Sequence, residues 1–557
     1  MRKVKTLLDS FRNQNRNRNN NGDRKKTFSP WTAYAFSINY TLGVGILNLP
    51  LAFYRGGFIM SIIFLLLCSL ICSITMVYLI ETEARAEELV SLAEYQRGIK
   101  NTFSKQLTIE TFQSDLSLSE FEDEHLVVEN ESSPLSKRIN SHYDFLVEEG
   151  SEEKLIGDEE EKKSNNKKYK PTFEIKDRKF EYNELLLLFF GKYGKLFGSI
   201  AISFYLYGIL WSYGVVAATT LTTVFPIKSL TKGDICEIDG EYTSNCQNNY
   251  IVYLIIFAIF VLPVSCLDLT EQKILQIGLT IFRFLSLILM ISTCVDAIFT
   301  SKDTQSQSDK PPYLAEYSLF NISNIGYVLG ASVFSQVIHH SATVIIEPIK
   351  DKKKASKIYF SSFFTTFSTY TLIGIICSLY FGEKTKSVVS LNWINYTGGD
   401  KHAQVWAKMI KYIIMLFPTI DIFSAFPLNV VTLGTSLFNY FYPELNRGNL
   451  KNKKLKKILF RLFAAIPPLI AALLVKQIPI IVIFNGIFGC LIGYLIPALV
   501  NYKSKKMCKI IFNKDKTPYS NISSNRKNII LVFTLGCLIL ISTLVSSIID
   551  EVKKYKK

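Results

Sequence analysis

Polar and apolar positions in this chain are sorted into blocks. Eleven apolar runs, at roughly 31–54, 58–80, 195–224, 250–267, 274–299, 323–346, 358–381, 404–438, 458–475, 478–500 and 528–549, alternate with stretches that hold most of the charge. About 20 residues of helix cross the hydrocarbon of a bilayer, so the pattern predicts an all-α integral membrane protein with eleven transmembrane helices. The first run, WTAYAFSINYTLGVGILNLPLAFYR, is broken near its middle by Gly43-Val44-Gly45, with Pro50 one turn further on. In hydrocarbon every backbone N–H and C=O must be paired internally. A glycine-flanked break at that depth therefore predicts backbone groups facing a protein-lined cavity, as in secondary transporters.

Gly43 and Gly45 permit unwinding and close approach, while Val44 and Ile46 would offer backbone N–H groups at the positive end of the outer half-helix. Pro50 suits an early turn, where N–H groups are unpaired anyway. An α-carboxylate fits such a site. A plain kinked helix, its glycines packed against a neighbour, is the competing reading.

Two long polar stretches flank the first two runs. Residues 1–28, with the string RNQNRNRNNNGDRKK, predict a disordered basic tail and no cleavable signal peptide. Residues 81–180 mix acidic runs (Glu120 to Glu124, Glu148 to Glu153, Asp158 to Glu161) with the basic run Lys162 to Lys170, and predict a disordered charged loop, regulatory or inert. Tyr182-Asn183-Glu184 and LLLLFFGKYGKLF then predict a short amphipathic helix before the third span. The expected organisation is a tail over 1–28, helices one and two within 29–80, the loop over 81–180, and the amphipathic helix with helices three to eleven over 181–557.

Charge orients the array. Lys and Arg number nine in 1–28, five in 347–357, six in 440–457 and eight in 501–528, against two, two and three in the opposite loops 226–249, 300–322 and 382–403. Short basic loops stay cytoplasmic, which predicts a cytoplasmic N-terminus and an outer or lumenal C-terminus, although the final KKYKK falls on the wrong side. The formal net charge of +16 is thus accounted for as topology signal and attraction to anionic lipid, without a nucleic-acid partner. Of ten cysteines, Cys236 and Cys246 fall in one outer loop with nine residues between them, where an oxidising compartment would allow a disulfide. The chain has no P-loop, HExxH or CxxC pattern, and the expectation is a non-enzyme with no cofactor.

Five strings, GVGILNLPLAFYRGG, YNELLLLFFGKYGKLF, LPVSCLDL, FSQVIHHSATVIIEPIK and GCLIGYLIPALVNY, follow one another in an order that resembles the amino acid/auxin permease family, whose fold is similar to that of the amino acid–polyamine–cation superfamily. The resemblance implies two inverted five-helix repeats with discontinuous first and sixth helices and an appended eleventh. It also implies amino acid transport by alternating access, with substrate at the bilayer midplane. The sixth helix should then break near Ser335 to Ser341, using Ser335, Gln336 and the histidines for backbone pairing. Relatives carry a histidine where His339 or His340 stands, although either could equally serve as interhelical hydrogen-bond glue. Phe334, like Tyr205, Tyr207, Trp211 and Tyr213 of the third span, could line a pocket or simply pack. Adjacent histidines diverge on a helix, and no Cys or carboxylate spacing joins them, so no metal site is expected.

The coupling ion divides two residues. Asn39 lies where sodium-coupled members of the family have an asparagine ligand, with Ser424 of the eighth span as the completing hydroxyl. Asp421, a carboxylate inside that same span, argues for a proton, and on its own helix only Lys408 or Lys411 could pair with it. Proton coupling is the reading adopted, with sodium as the alternative. A sensor that binds amino acid without moving it is the runner-up. The membrane would be the plasma membrane or a vacuolar or lysosome-like one.

Overall fold

The computed structural model describes residues 29–106, 169–176, 180–231, 244–267, 273–300, 318–346, 349–399, 404–442 and 453–555. Ser29 opens α1, Pro30–Thr41: its hydroxyl accepts from the Thr32 N–H, and Pro30 takes the first helical position, where no N–H is needed. After a three-residue break α2 runs over Gly45–Gly56, and α3 over Phe58–Gln106. Then come α4 (Tyr182–Val224), α5 (Ser244–Cys266), α6 (Lys273–Thr300), α7 (Ile325–Gln336), a single 3-10 turn at His339–Ser341, and α8 (Ala342–Ile346). The remaining helices are α9 (Ala355–Phe381), α10 (Val405–Phe441), α11 (Lys453–Leu474), α12 (Ile478–Cys490), α13 (Ile496–Phe512) and α14 (Arg526–Tyr555). A π-turn over Leu491–Leu495 joins α12 to α13, and its Ile492 carbonyl accepts the Tyr182 hydroxyl at 2.8 Å.

Nine helices among the described residues are long and apolar enough to cross a membrane. The two other apolar runs of the sequence are the split ones, α1 with α2 and α7 with α8, whose halves are each too short to qualify alone. The split segments are interior. α9 packs on α1, α2 and α3, and α7 packs on α2, α3, α12 and α14. The apolar window of α4 is 72% buried, whereas those of α5, α11 and α14 are 33% buried, which puts α4 inside the bundle and these three at its rim. The kink that separates the expected amphipathic stretch from the third span falls at Gly191, whose φ of 76° favours glycine.

The stretch 81–180 differs from the disordered loop expected of it. α3 continues through 81–106, and residues 81–90 are wholly buried. The string ETEARAEELV is rich in strong helix formers, and its charges have partners. Arg85 donates to Glu81 at 2.7 Å, to Asn501 at 2.5 Å and to Ser504 at 3.1 Å, and the Ser524 hydroxyl donates to Glu81. Residues 169–176 return as a strap with no regular secondary structure. Glu88 accepts the N–H groups of Thr172 (3.1 Å) and Phe173 (2.7 Å), and the Phe173 ring stands edge-on to Phe512 in full burial. The strap ends held by Tyr519, which accepts the Ile175 N–H, and by Lys352, which donates to the Lys176 carbonyl. Composition alone could not reveal this, because a buried carboxylate looks like a solvated one until its donors are known. Residues 1–28 and 107–168 lie outside the described residues.

Candidate substrate site at the helix break

The break in the first segment falls at 42–44, between α1 and α2, where the glycines were read to put it. Gly43 donates to the Thr41 carbonyl at 2.8 Å, Ile46 to Gly43 at 3.3 Å and Leu47 to Val44 at 3.1 Å; among the described residues no backbone carbonyl accepts from the N–H of Val44 or Gly45. The donors left at the positive end of α2 are thus those of Val44 and Gly45, and Ile46, expected to contribute one, has its N–H engaged. The two glycines differ. A Cβ on Gly43 would meet nothing within 4 Å, whereas one on Gly45 would stand 2.9 Å from the Cα of Ser335. Gly43 borders open space; Gly45 lets α2 press against α7.

That open space belongs to a small cavity lined on one side by Leu42, Gly43, Val44, Ile46 and Leu47. The opposite wall is Arg283 and Leu287 of α6 with Phe417, Pro418 and Asp421 of α10. Arg283 and Asp421 form an ion pair, bonded through both Nη2 and Nε (3.2 Å to Oδ1), with side chains 9% and 12% exposed. Neither charge would be tolerable alone at this depth, and together they are nearly neutral. The partner of Asp421 is therefore not Lys408 or Lys411 of its own helix but an arginine from another span. Ser424, buried, lies one turn further along α10.

The second break leaves α7 at Gln336 and resumes as the 3-10 turn at His339, so residues 337 and 338 are the unwound ones. Its freed carbonyls are met by tyrosines. Tyr205 of α4 donates to Val337 at 2.9 Å. Tyr370 of α9 reaches two carbonyls at once, Thr41 at 2.6 Å and Ser335 at 3.1 Å, so one hydroxyl joins the C-terminal ends of α1 and α7. His339 is buried and its Nε2 lies 2.8 Å from Thr75 Oγ1 of α3, a contact between helices away from the cavity. His340 lies 5.7 Å from the Tyr205 ring.

Of the residues singled out in the sequence, the structure brings Gly43, Val44, Ile46 and Asp421 to one cavity and sets Gly45 against Ser335 at its edge. Phe334 is buried in the last turn of α7, and His339 is turned to α3. Asn39 stands in α1, and its side chain lies outside what is described; so does Cys236, while Cys246 is buried near the start of α5. Arg283 and Tyr370 were missed. The signal for Arg283 was in plain view, a lone arginine in the apolar run LTIFRFLSLILM.

An all-helical, multi-pass membrane protein with an interrupted helix at an internal charged cavity is a transporter-like architecture. The profile of the family described as transmembrane amino acid transporter protein matches residues 26–110 and 164–549, and the chain belongs to that family. It is similar to the transmembrane protein 104 homolog of Dictyostelium discoideum, 25% identical over 537 residues, covering 92% of this chain and 96% of that one. It is also similar to transmembrane protein 104 of Homo sapiens, 24% identical over 542 residues, covering 94% and 98%. Among solved structures, the manganese transporter of Eremococcus coleocola, in complex with an aromatic bis-isothiourea substituted compound, aligns at a TM-score of 0.41 and 11% identity over 93% of this chain and 85% of that chain.

Proposed function

We propose that this protein is a secondary active transporter that moves amino acids by alternating access, driven by protons. Each split pair counts as one crossing, giving eleven, with the N-terminal side in the cytoplasm. The observation that carries the reading is the polarity around the first break. The N-terminus of α2, with Gly43 open beside it, turns positive N–H groups toward the cavity. The carboxyl ends of α1 and α7 meet at the Tyr370 hydroxyl and present the negative ends of two dipoles close by. A zwitterion satisfies both, its carboxylate at α2 and its ammonium at the carbonyl ends. The apolar remainder of the lining, Leu42, Leu287 and Phe417 among it, suits an apolar side chain.

Alternating access then means that the broken halves move relative to α6 and α10 while the site stays put. The test is uptake of a panel of labelled amino acids into proteoliposomes, with pH and sodium varied separately. Saturable uptake that follows an inward proton gradient and ignores sodium is the expected result. Binding without uptake would instead support a sensor, and dependence on sodium alone would move attention to Asn39 and Ser424.

A further inference from the structure

Arg283 and Asp421 come from different helices and meet on the wall of the cavity that holds the α2 N-terminus. Arg283 is ten residues into α6 and Asp421 sixteen into α10, so both lie about 15–24 Å from the near end of their helices, well inside the bundle. A buried pair with only a structural task is commonly no better than apolar residues of like size. This one borders open space, and the guanidinium fork matches any carboxylate that reaches it.

We propose that Arg283 is the carboxylate receptor of the transported substrate, and that a proton arriving on Asp421 is what transfers the arginine from protein to substrate. This rests on the transport reading above. In the empty site Arg283 holds Asp421, and the pair is neutral. When one proton bonds to a carboxylate oxygen of Asp421, that residue becomes uncharged and its hold on the guanidinium weakens; Arg283 keeps all its protons. The wall now carries one positive charge, which the carboxylate of an incoming α-amino acid, seated at the α2 N-terminus on the other wall of the same cavity, faces and compensates, while its ammonium stays at the carbonyl ends of α1 and α7. Substrate and proton thus enter together: without the proton the guanidinium stays with Asp421 and the substrate carboxylate faces a second carboxylate, and without the substrate the freed guanidinium is left buried with no anion beside it. The substrate class that follows is an α-amino acid with a free carboxylate and an apolar side chain. Among the described residues Tyr213 of α4 and Tyr370 of α9 are titratable side chains close enough to interact with the pair, and the residues of the break that line the cavity add none.

The experiment uses the full chain in lipid nanodiscs, with leucine and leucinamide as probes. Wild-type protein should bind leucine about tenfold or more tightly on going from about pH 8 to about pH 5, and should reject leucinamide. Asp421→Asn should bind leucine independently of pH, and at neutral pH at least as well as wild type does at low pH. Adding Arg283→Gln to it removes the remaining charge, so that no lone ion is buried, and should weaken leucine binding on the order of 10–100-fold and abolish the preference over leucinamide. Wild-type pH dependence in Asp421→Asn, or leucine binding in the double variant as tight as in the single, overturns the assignment. Should Asp421→Asn not fold, Arg283→Lys decides: weaker leucine binding with pH dependence kept supports the proposal, and unchanged affinity overturns it. A wild type that binds and moves no amino acid at any pH defeats the transport reading itself, whereas normal wild-type uptake with an overturning variant result defeats only the role of the pair.

Discussion

Single residues divide between making the cavity and closing the bundle around it. Gly43 has open space where a side chain would project, so Gly43→Val should insert and fold normally while lowering amino acid affinity at least about tenfold, measured by scintillation proximity binding. Gly45→Ala places a methyl against Ser335 and should cost about 1–3 kcal/mol of stability, seen as a lower melting temperature in detergent. The reverse pattern would mean that the cavity is not where substrate sits. Tyr370→Phe withdraws the one hydroxyl shared by Thr41 and Ser335 and should destabilise by about 1–2 kcal/mol. The glycine break was legible because its cause is local: two residues without side chains in a run that otherwise demands helix. Arg283 and Tyr370 were not, since a lone arginine or one of 29 tyrosines gains meaning only when a distant helix supplies its partner.

Among the elements, length and apolarity made the spans readable, and charge made the inner extension of α3 unreadable. Residues 81–91 have the composition of a solvated helix, yet they are buried because α13 supplies acceptors for Arg85, while the link to α14 and the returning strap supply donors for Glu81 and Glu88. Glu88 fastens that strap. Glu88→Ala should therefore loosen the backbone around Lys176, whose side chain donates to Ser91 and whose carbonyl is held by Lys352, enough for trypsin to cut there. Limited proteolysis followed by mass spectrometry reads the cut, and a wild-type digestion pattern in the variant would refute the anchor. Deletions within 107–168 should spare uptake, while removing 169–176 should not. The sixth-segment break was anticipated in place by the resemblance, but its means of satisfaction was not, because the carbonyl donors are tyrosines on α4 and α9 instead of its own Ser335 or histidines.

For the molecule as a whole, alkylation of Cys236 and Cys246 in sealed, oriented vesicles should require a reductant if the proposed bridge closes the loop before α5; labelling without one would exclude it. The contact of α3 with α13 depends on the π-turn at Leu491–Leu495, which is a matter of counting. One residue more than an α-helical turn requires is stored there, so α13 is rotated by about 100° from where an unbroken α12 would carry it. Arg85 finds Asn501 and Ser504 only in that rotated frame. A single-residue deletion inside 491–495 removes the stored residue and should leave the polar face of α13 toward Arg85, whereas a single-residue insertion there should turn that face away by about 100° and be more damaging than most substitutions. Expression of the two variants reads the difference: near wild type for the deletion and low for the insertion is the expected result, and the reverse order would refute it. In the language of insertions and deletions, the wide turn is a frame shift written into the helix, and the inner end of α3 reads in the shifted frame.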